Sequence, residues 1–284
     1  MARAADYLSL LRPENDFLMG AIVVVGALVG GGGRLPGCPA LAIGFLVAFA
    51  LSASAMVLND VVDLEIDRLN QPDRPLPSGR VPVGHAWALF GALSAVGLAL
   101  SALQGEAELA LALASYVVAV SYDLRGKRTG LPGNAMVAFT GVSPILYGSL
   151  LSGGISLVVA LEALMIFLAM MGREIVKGVA DVEGDVAHGV RTLAVAIGRG
   201  PASLVSVAFF GAAVALSPLP PLLGLANRLL YSVPVAIADA AFIYASTSVA
   251  REPTRERALR AKELELATYA IALLGFALGS LRWA

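Results

Sequence analysis

Asn59-Asp60-Val61-Val62-Asp63-Leu64-Glu65-Ile66-Asp67 closes an apolar run that opens near residue 38. The run matches the ~20 residues that a helix needs to cross the ~30 Å hydrocarbon core of a bilayer, so the stretch reads as the polar end of a membrane span. If the helix continues past the core, Asn59, Asp63 and Asp67 recur at i, i+4 and i+8 and share one face. Carboxylates at that spacing repel one another by a few tenths of a kcal/mol per pair, so positive charge is expected to compensate them. Hard oxygen ligands converging on a helix end suit Mg²⁺, which takes a few carboxylates together with phosphate oxygens and water.

A second cluster follows the sixth span, in Arg173-Glu174-Ile175-Val176-Lys177-Gly178-Val179-Ala180-Asp181-Val182-Glu183-Gly184-Asp185. Arg173, Lys177, Asp181 and Asp185 step by four, which lines two cations and two carboxylates along one stripe. Each cluster follows an even-numbered span, four spans apart, as a duplicated four-helix unit would produce. Solvated loop charge is the ordinary reading of a single Asp in such a loop. Two periodic carboxylate sets beside apolar spans favour a site.

The rest of the chain agrees with a bilayer setting. Of 284 residues, 58% are hydrophobic and 14% charged, against roughly 25% charged in a soluble domain. Nine apolar spans are expected, near 16–33, 38–58, 86–104, 108–122, 132–151, 154–172, 201–220, 229–249 and 264–281. The leader and the even connections hold seventeen of the twenty Lys and Arg residues, leaving Arg34, Arg228 and Arg282 on the other side. The positive-inside rule therefore puts the N-terminus and both clusters in the cytoplasm, and an odd span count puts the C-terminus outside. The expected fold is all-α and polytopic: one transmembrane domain, 1–284, with nine helices around a central cavity. Two four-helix halves, at about 10–130 and 131–250, precede the ninth helix.

A net charge of −1 offers no basic face for nucleic acid, and no obligate protein partner is evident. Cys38 cannot pair within the chain, and with His85 and His188 it makes too small a set for zinc. The first apolar run lacks a signal-peptide cleavage context, so the chain reads as mature protein. Gly30 to Gly33 lacks the Lys and Ser/Thr of a phosphate loop and reads as a turn. Trp87 and Trp283 suit interfacial anchors. Glu162 and Asp239 fall inside spans, where an ionisable residue costs a few kcal/mol; neither is assigned to the site. Arg251 to Glu265 has scattered charge and reads as a solvated connector.

Carboxylate clusters facing each other over a membrane cavity would hold one or two Mg²⁺ against a diphosphate. Neutralising the departing pyrophosphate lets an allylic C–O bond ionise, and an apolar cavity keeps water from the cation. The different class of function that also places acids near membrane helices is a cation transporter. It would need charge near mid-membrane on broken helices.

The first cluster resembles the NDxxDxxxD motif, and Asp181 to Asp185 the DxxxD motif, of the UbiA-type intramembrane prenyltransferases. Flanking stretches are similar too: Arg12-Pro13-Glu14-Asn15, Asn70-Gln71-Pro72-Asp73-Arg74-Pro75-Leu76-Pro77-Ser78-Gly79-Arg80 and Arg191-Thr192-Leu193. The resemblance implies a nine-helix bundle with a cavity open to lipid and a Mg²⁺-bound prenyl diphosphate under cytoplasmic caps. It implies Asn59, Asp63, Asp67, Asp181 and Asp185 as metal and diphosphate residues, with Asp60 a weaker member. Asp63, Asp67, Asp181 and Asp185 would carry catalysis, and Asn15 would join the diphosphate or acceptor contacts. Tyr122 and Lys127 look like the family's Tyr and Lys after the fourth span, but the family gap is one residue shorter, which leaves Lys127 or Arg128. The second cluster is most similar to an archaeal branch that moves a geranylgeranyl group from its diphosphate onto the hydroxyl of geranylgeranylglyceryl phosphate. That lipid-phosphate acceptor would need cations, for which Arg74, Arg128, Arg173 and Lys177 are candidates; topology alone accounts for them equally. The rival acceptor within the family is an aromatic ring such as 4-hydroxybenzoate.

Overall fold

A computed structural model of the chain describes residues 3–187 and 189–281; His188, Arg282 and Trp283 lie outside the described residues, as does the side chain of Asn70. The helices in chain order are α1 (Ala4–Leu11), α2 (Pro13–Gly30), α3 (Cys38–Val62), α4 (Leu64–Asn70), α5 (Val83–Ala102), α6 (Glu106–Leu124) and α7 (Leu131–Leu151). They continue as α8 (Leu157–Ala180), α9 (Val182–Ala187), α10 (Leu193–Ile197), α11 (Arg199–Leu216), α12 (Leu219–Leu222), α13 (Arg228–Arg251) and α14 (Arg255–Gly279). No strand occurs among the described residues.

Seven helical segments are long and apolar enough to cross a membrane: α2, α3, α5, α6, α7, α13 and the stretch from Arg199 to Leu222. The two remaining long helices, α8 and α14, have 24 and 25 residues but are more highly charged. Both pack inside the bundle, α8 against α7 and α11, α14 against α13 and α8. All nine expected spans fall on helices, with ends displaced by a few residues except at the sixth, where α8 runs on to Ala180, and at the ninth. At the ninth, much of the expected connector proves to be the first half of a helix, with most of its charged residues exposed. Helix α14 begins at Arg255, capped by the Thr254 side chain, and Glu265 is fully buried within the bundle. Its first half keeps Arg255, Glu256, Arg257, Arg260 and Glu263 exposed while Ala258, Ala261 and Glu265 turn inward, an amphipathic pattern that lacks a long apolar run.

The crossing of α2 and α7 sets the centre. A Cβ added at Gly26 would lie 2.1 Å from the Ile145 carbonyl oxygen, and one at Gly148 would lie 2.0 Å from the Val23 carbonyl oxygen. The two backbones therefore touch, as membrane helices do where small residues meet. Beside this crossing, α2, α3, α6, α7, α8 and α14 enclose an apolar cavity of about 400 Å³.

Short helices cover the end where α3 and α8 stop. Helix α1 buries Leu10 against Val57, Leu76, Val81 and Ala86. It is tied down by Tyr7 Oη to His85 Nδ1 at 2.7 Å and by the Arg80 to Asp6 pair at 2.8 Å. Arg12, between α1 and α2, has φ 52 and ψ 62, a left-handed conformation unusual for a residue other than Gly. At the opposite end of the bundle, Asp239 accepts a hydrogen bond from Ser217 at 2.6 Å across two helices. Glu162 is fully buried in the second turn of α8.

Candidate active site

Asn59 sits in the last turn of α3, and its Nδ2 donates to Asp63 Oδ2 at 3.2 Å and to Asp123 Oδ1 at 3.0 Å. Lys127 Nζ donates to Asp63 Oδ1. These four residues form one node, joining α3 to the end of α6 and the 3₁₀ turn Gly126–Arg128. A second node lies beside it. Asp60 accepts from Arg12 and, at 3.4 Å, from Arg74, whose guanidinium also donates to Asp67 at 2.7 Å.

The single stripe expected for Asn59, Asp63 and Asp67 is therefore corrected. Helix α3 stops at Val62, Asp63 takes φ −90 and ψ 7, and α4 restarts at Leu64. Asp67 joins Asp60 through Arg74. At about 100° per residue, seven residues return closer to the starting azimuth than eight do, so Asp60 and Asp67 share a face better than Asn59 and Asp67. The expected compensating charge is present and comes from the chain itself, as Lys127, Arg12 and Arg74.

The second cluster repeats the break. Helix α8 stops at Ala180, Asp181 takes φ −102 and ψ 8, and α9 follows at once. Arg173 and Lys177, one turn apart on α8, both pair with Glu174, at 3.4 and 3.5 Å, and the step of four continues through the backbone bonds from Asp181 to Lys177 and from Asp185 to Asp181. Asp185 accepts from Thr192 Oγ1 at 3.0 Å, and Asp181 acts electrostatically on Lys177. Arg199 pairs with Glu183 at 2.5 Å and holds that exposed carboxyl below the usual range through this hydrogen bond.

Tyr122, on the last turn of α6, lies within electrostatic reach of Asp63 on one side and of Lys177 and Glu174 on the other. The two loops also meet through backbone: Gly130 has φ 69, and a Cβ there would lie 2.9 Å from the Arg191 carbonyl oxygen. Of the alternatives after the fourth span, Lys127 reaches Asp63, whereas Arg128 is exposed. Asn15 and Arg173 stand at the polar end of the apolar cavity, with Ser52 and Met56 of α3. Two participants were missed in the sequence. Asp123 lies four residues before Lys127, and Glu174 lies beside Arg173; adjacency was the available signal.

Among the described residues, no three His, Cys, Asp or Glu side chains gather as a metal cage. The donor set is nonetheless all oxygen, and Mg²⁺ is commonly held by only one or two carboxylates with the rest of its shell from phosphate and water. Paired carboxylates at the ends of α3 and α8, two helices that line the apolar cavity, fit that partial shell.

Known proteins are similar to the chain over most of its length. The model of the UbiA prenyltransferase family matches residues 19–279. A digeranylgeranylglyceryl phosphate synthase from Thermococcus kodakarensis is 36% identical over 276 residues, covering 97% of this chain and 98% of that one. A solved structure described as a digeranylgeranylglyceryl phosphate synthase in membranes is 31% identical, with a TM-score of 0.84 over 97% of this chain and 98% of the other. A UbiA homologue from Archaeoglobus fulgidus bound to GPP and Mg²⁺ shares the fold at 20% identity, with a TM-score of 0.72 over 97% of this chain and 100% of that one. With both motifs at the ends of helices that line one apolar cavity, this integral membrane chain belongs to the UbiA prenyltransferase family.

Proposed function

We propose that the chain transfers a geranylgeranyl group from its diphosphate to the free hydroxyl of geranylgeranylglyceryl phosphate, making the second ether bond of an archaeal membrane lipid. The observation that carries this reading is that α3 and α8, which line an apolar cavity of about 400 Å³, both end in carboxylate clusters balanced by the chain's own cations, in a chain so similar to synthases of that name. Asn59, Asp60, Asp63, Asp67, Asp181 and Asp185 are the residues that would hold Mg²⁺ and the diphosphate. Bound there, the metal neutralises charge that collects on the departing diphosphate.

The chain's own residues do the remaining work. Asn59 and Lys127 fix Asp63; Arg74 fixes Asp67. Lys127 and Tyr122 face the diphosphate, while Arg173, Lys177 and Asn15 serve the diphosphate or the acceptor's phosphate. The cavity walls exclude water from the allylic cation until the glycerol oxygen closes the new C–O bond.

Nine spans with a cytoplasmic N-terminus and a cytoplasmic active site complete the proposal. It is supported by seventeen of twenty cations on one side and by the length of α8 and α14. The matching helix breaks at Asp63 and Asp181 support two related halves. The transporter reading needed charge on helices broken at mid-membrane, whereas these breaks lie at helix ends.

The test supplies purified protein, Mg²⁺ and geranylgeranyl diphosphate with either geranylgeranylglyceryl phosphate or 4-hydroxybenzoate. Ether product from the first acceptor is expected. Product from the aromatic acceptor alone overturns the proposal in favour of quinone-type chemistry.

A further inference from the structure

An ether cannot form from an alcohol unless a proton leaves the hydroxyl, and among the described residues no Asp, Glu or His lines the cavity to take it. The wall does carry hydroxyls, and they differ in what lies behind them. Thr140 and Ser143 donate to backbone carbonyls of α7, at 2.9 and 2.8 Å, and Tyr147 is paired with buried Ser101. Ser52 of α3, at the polar end of the cavity, donates instead to a carboxylate: its Oγ lies 2.6 Å from Asp16 Oδ1.

Asp16 is fully buried in the first turn of α2, beside the cavity-lining Asn15. A carboxylate taken from water is costly unless it is paired or hydrogen-bonded. Here Oδ1 has Ser52, while Oδ2 has no hydrogen-bond partner among the described residues. Glu14 and Arg12 act on it electrostatically with opposite signs, and the positive end of the α2 dipole offsets part of the cost. A strut between α2 and α3 needs only neutral groups, so a buried carboxylate behind a cavity hydroxyl points to a proton acceptor.

Its position along α3 suits that role. Ser52 lies seven residues before Asn59, two turns or about 10 Å deeper, and seven residues return to nearly the same face. With the diphosphate at Asn59 and Asp63, the allylic carbon descends the face of α3 that carries Ser52.

We propose that Ser52 and Asp16 form the relay that takes the proton of the acceptor hydroxyl. The inference rests on the reading of the acceptor given above and deepens it. The donor's allylic C–O bond breaks, and its electron pair leaves with the diphosphate. A lone pair of the acceptor oxygen forms the new C–O bond; the proton of that oxygen passes to Ser52 Oγ as Ser52's own proton passes to Asp16 Oδ1. Ser52 is then a catalytic residue. Asp16 is the positioning residue that orients the serine hydroxyl and holds the proton until product leaves.

The experiment measures single-turnover transfer from geranylgeranyl diphosphate, in detergent with Mg²⁺, to geranylgeranylglyceryl phosphate and to its analogue with a thiol in place of the free hydroxyl. At about pH 8.5 roughly half of such a thiol is already ionised and needs no base. Asp16→Asn can still accept the Ser52 hydrogen bond but cannot take the proton. It is expected to lower transfer to the hydroxyl by about a hundredfold, the scale of general-base catalysis, and transfer to the thiol by less than about tenfold. Ser52→Ala is expected to show the same contrast, and Ser52→Thr, which keeps the hydroxyl, to recover most of the loss. A loss below about tenfold with the hydroxyl, or equal losses with both acceptors, overturns the relay, since a merely structural tie would affect both alike. If Asp16→Asn does not fold, Ser52→Ala as active as Ser52→Thr overturns it. Wild type that makes no ether from geranylgeranylglyceryl phosphate refutes the acceptor reading and the relay together, whereas wild-type ether formation with unimpaired variants refutes the relay alone.

Discussion

Asp63 is the residue on which the first node turns, since Asn59 and Lys127 both bond to its carboxylate. Asp63→Asn is expected to lower turnover by about two orders of magnitude, the scale of removing one electrostatic contact to a transition state. The protein should still insert in the membrane, as read by its yield in the membrane fraction. Lys127 and Arg128 separate in the same way. Lys127→Ala should cut kcat/KM by about tenfold or more, and Arg128→Ala, which removes an exposed side chain, should leave it within about twofold; equal losses would refute the assignment of Lys127. At this scale the motif residues were legible because their spacing recurs along one helix. Asp123 and Glu174 were not, because each finds its partner across helices or beside a residue already given a role. The i+8 stripe failed because α3 breaks at Asp63.

Helices were easier to foresee than their limits. Long apolar runs give their presence away, since a bilayer rewards nothing else over ~20 residues. Helix α14 was read too short, because its first half is amphipathic, with Arg255, Glu256, Arg257, Arg260 and Glu263 exposed, and so lacks the apolar run that marks a span. The α2 to α7 crossing could not be read at all: glycine is common in membrane helices, and only packing shows which ones touch backbone. Gly148→Val is the test at this scale. With an added Cβ 2.0 Å from a carbonyl oxygen, the helices must part, and a loss of about 1–3 kcal/mol or more is expected. A lowered Tm in detergent measures it; Gly211→Val, where an added Cβ meets nothing within 4 Å, should leave the Tm nearly unchanged.

For the whole molecule, orientation follows from where the basic residues gather, and the chain carries its own probe. Cys38 is the only cysteine in the sequence, and it is exposed at the first residue of α3, the end remote from Asp63. In intact cells it is expected to react with a membrane-impermeant maleimide added outside. Labelling only after permeabilisation would reverse the proposed topology. Chelation of divalent metal should abolish transfer while leaving the helical circular-dichroism signal intact, since the helices pack through apolar clusters.

The cations that sit on Asp60, Asp63 and Asp67 give the resting apex the character of an ion exchanger. An arriving metal diphosphate brings both signs at once: its metal can take the carboxylates, and its phosphate oxygens can take the displaced lysine and arginines. Bare Mg²⁺ must evict those cations without offering them a new counter-ion. Admission of the donor is therefore a swap that leaves the charge at the membrane surface almost constant, and it favours the metal and the diphosphate entering together.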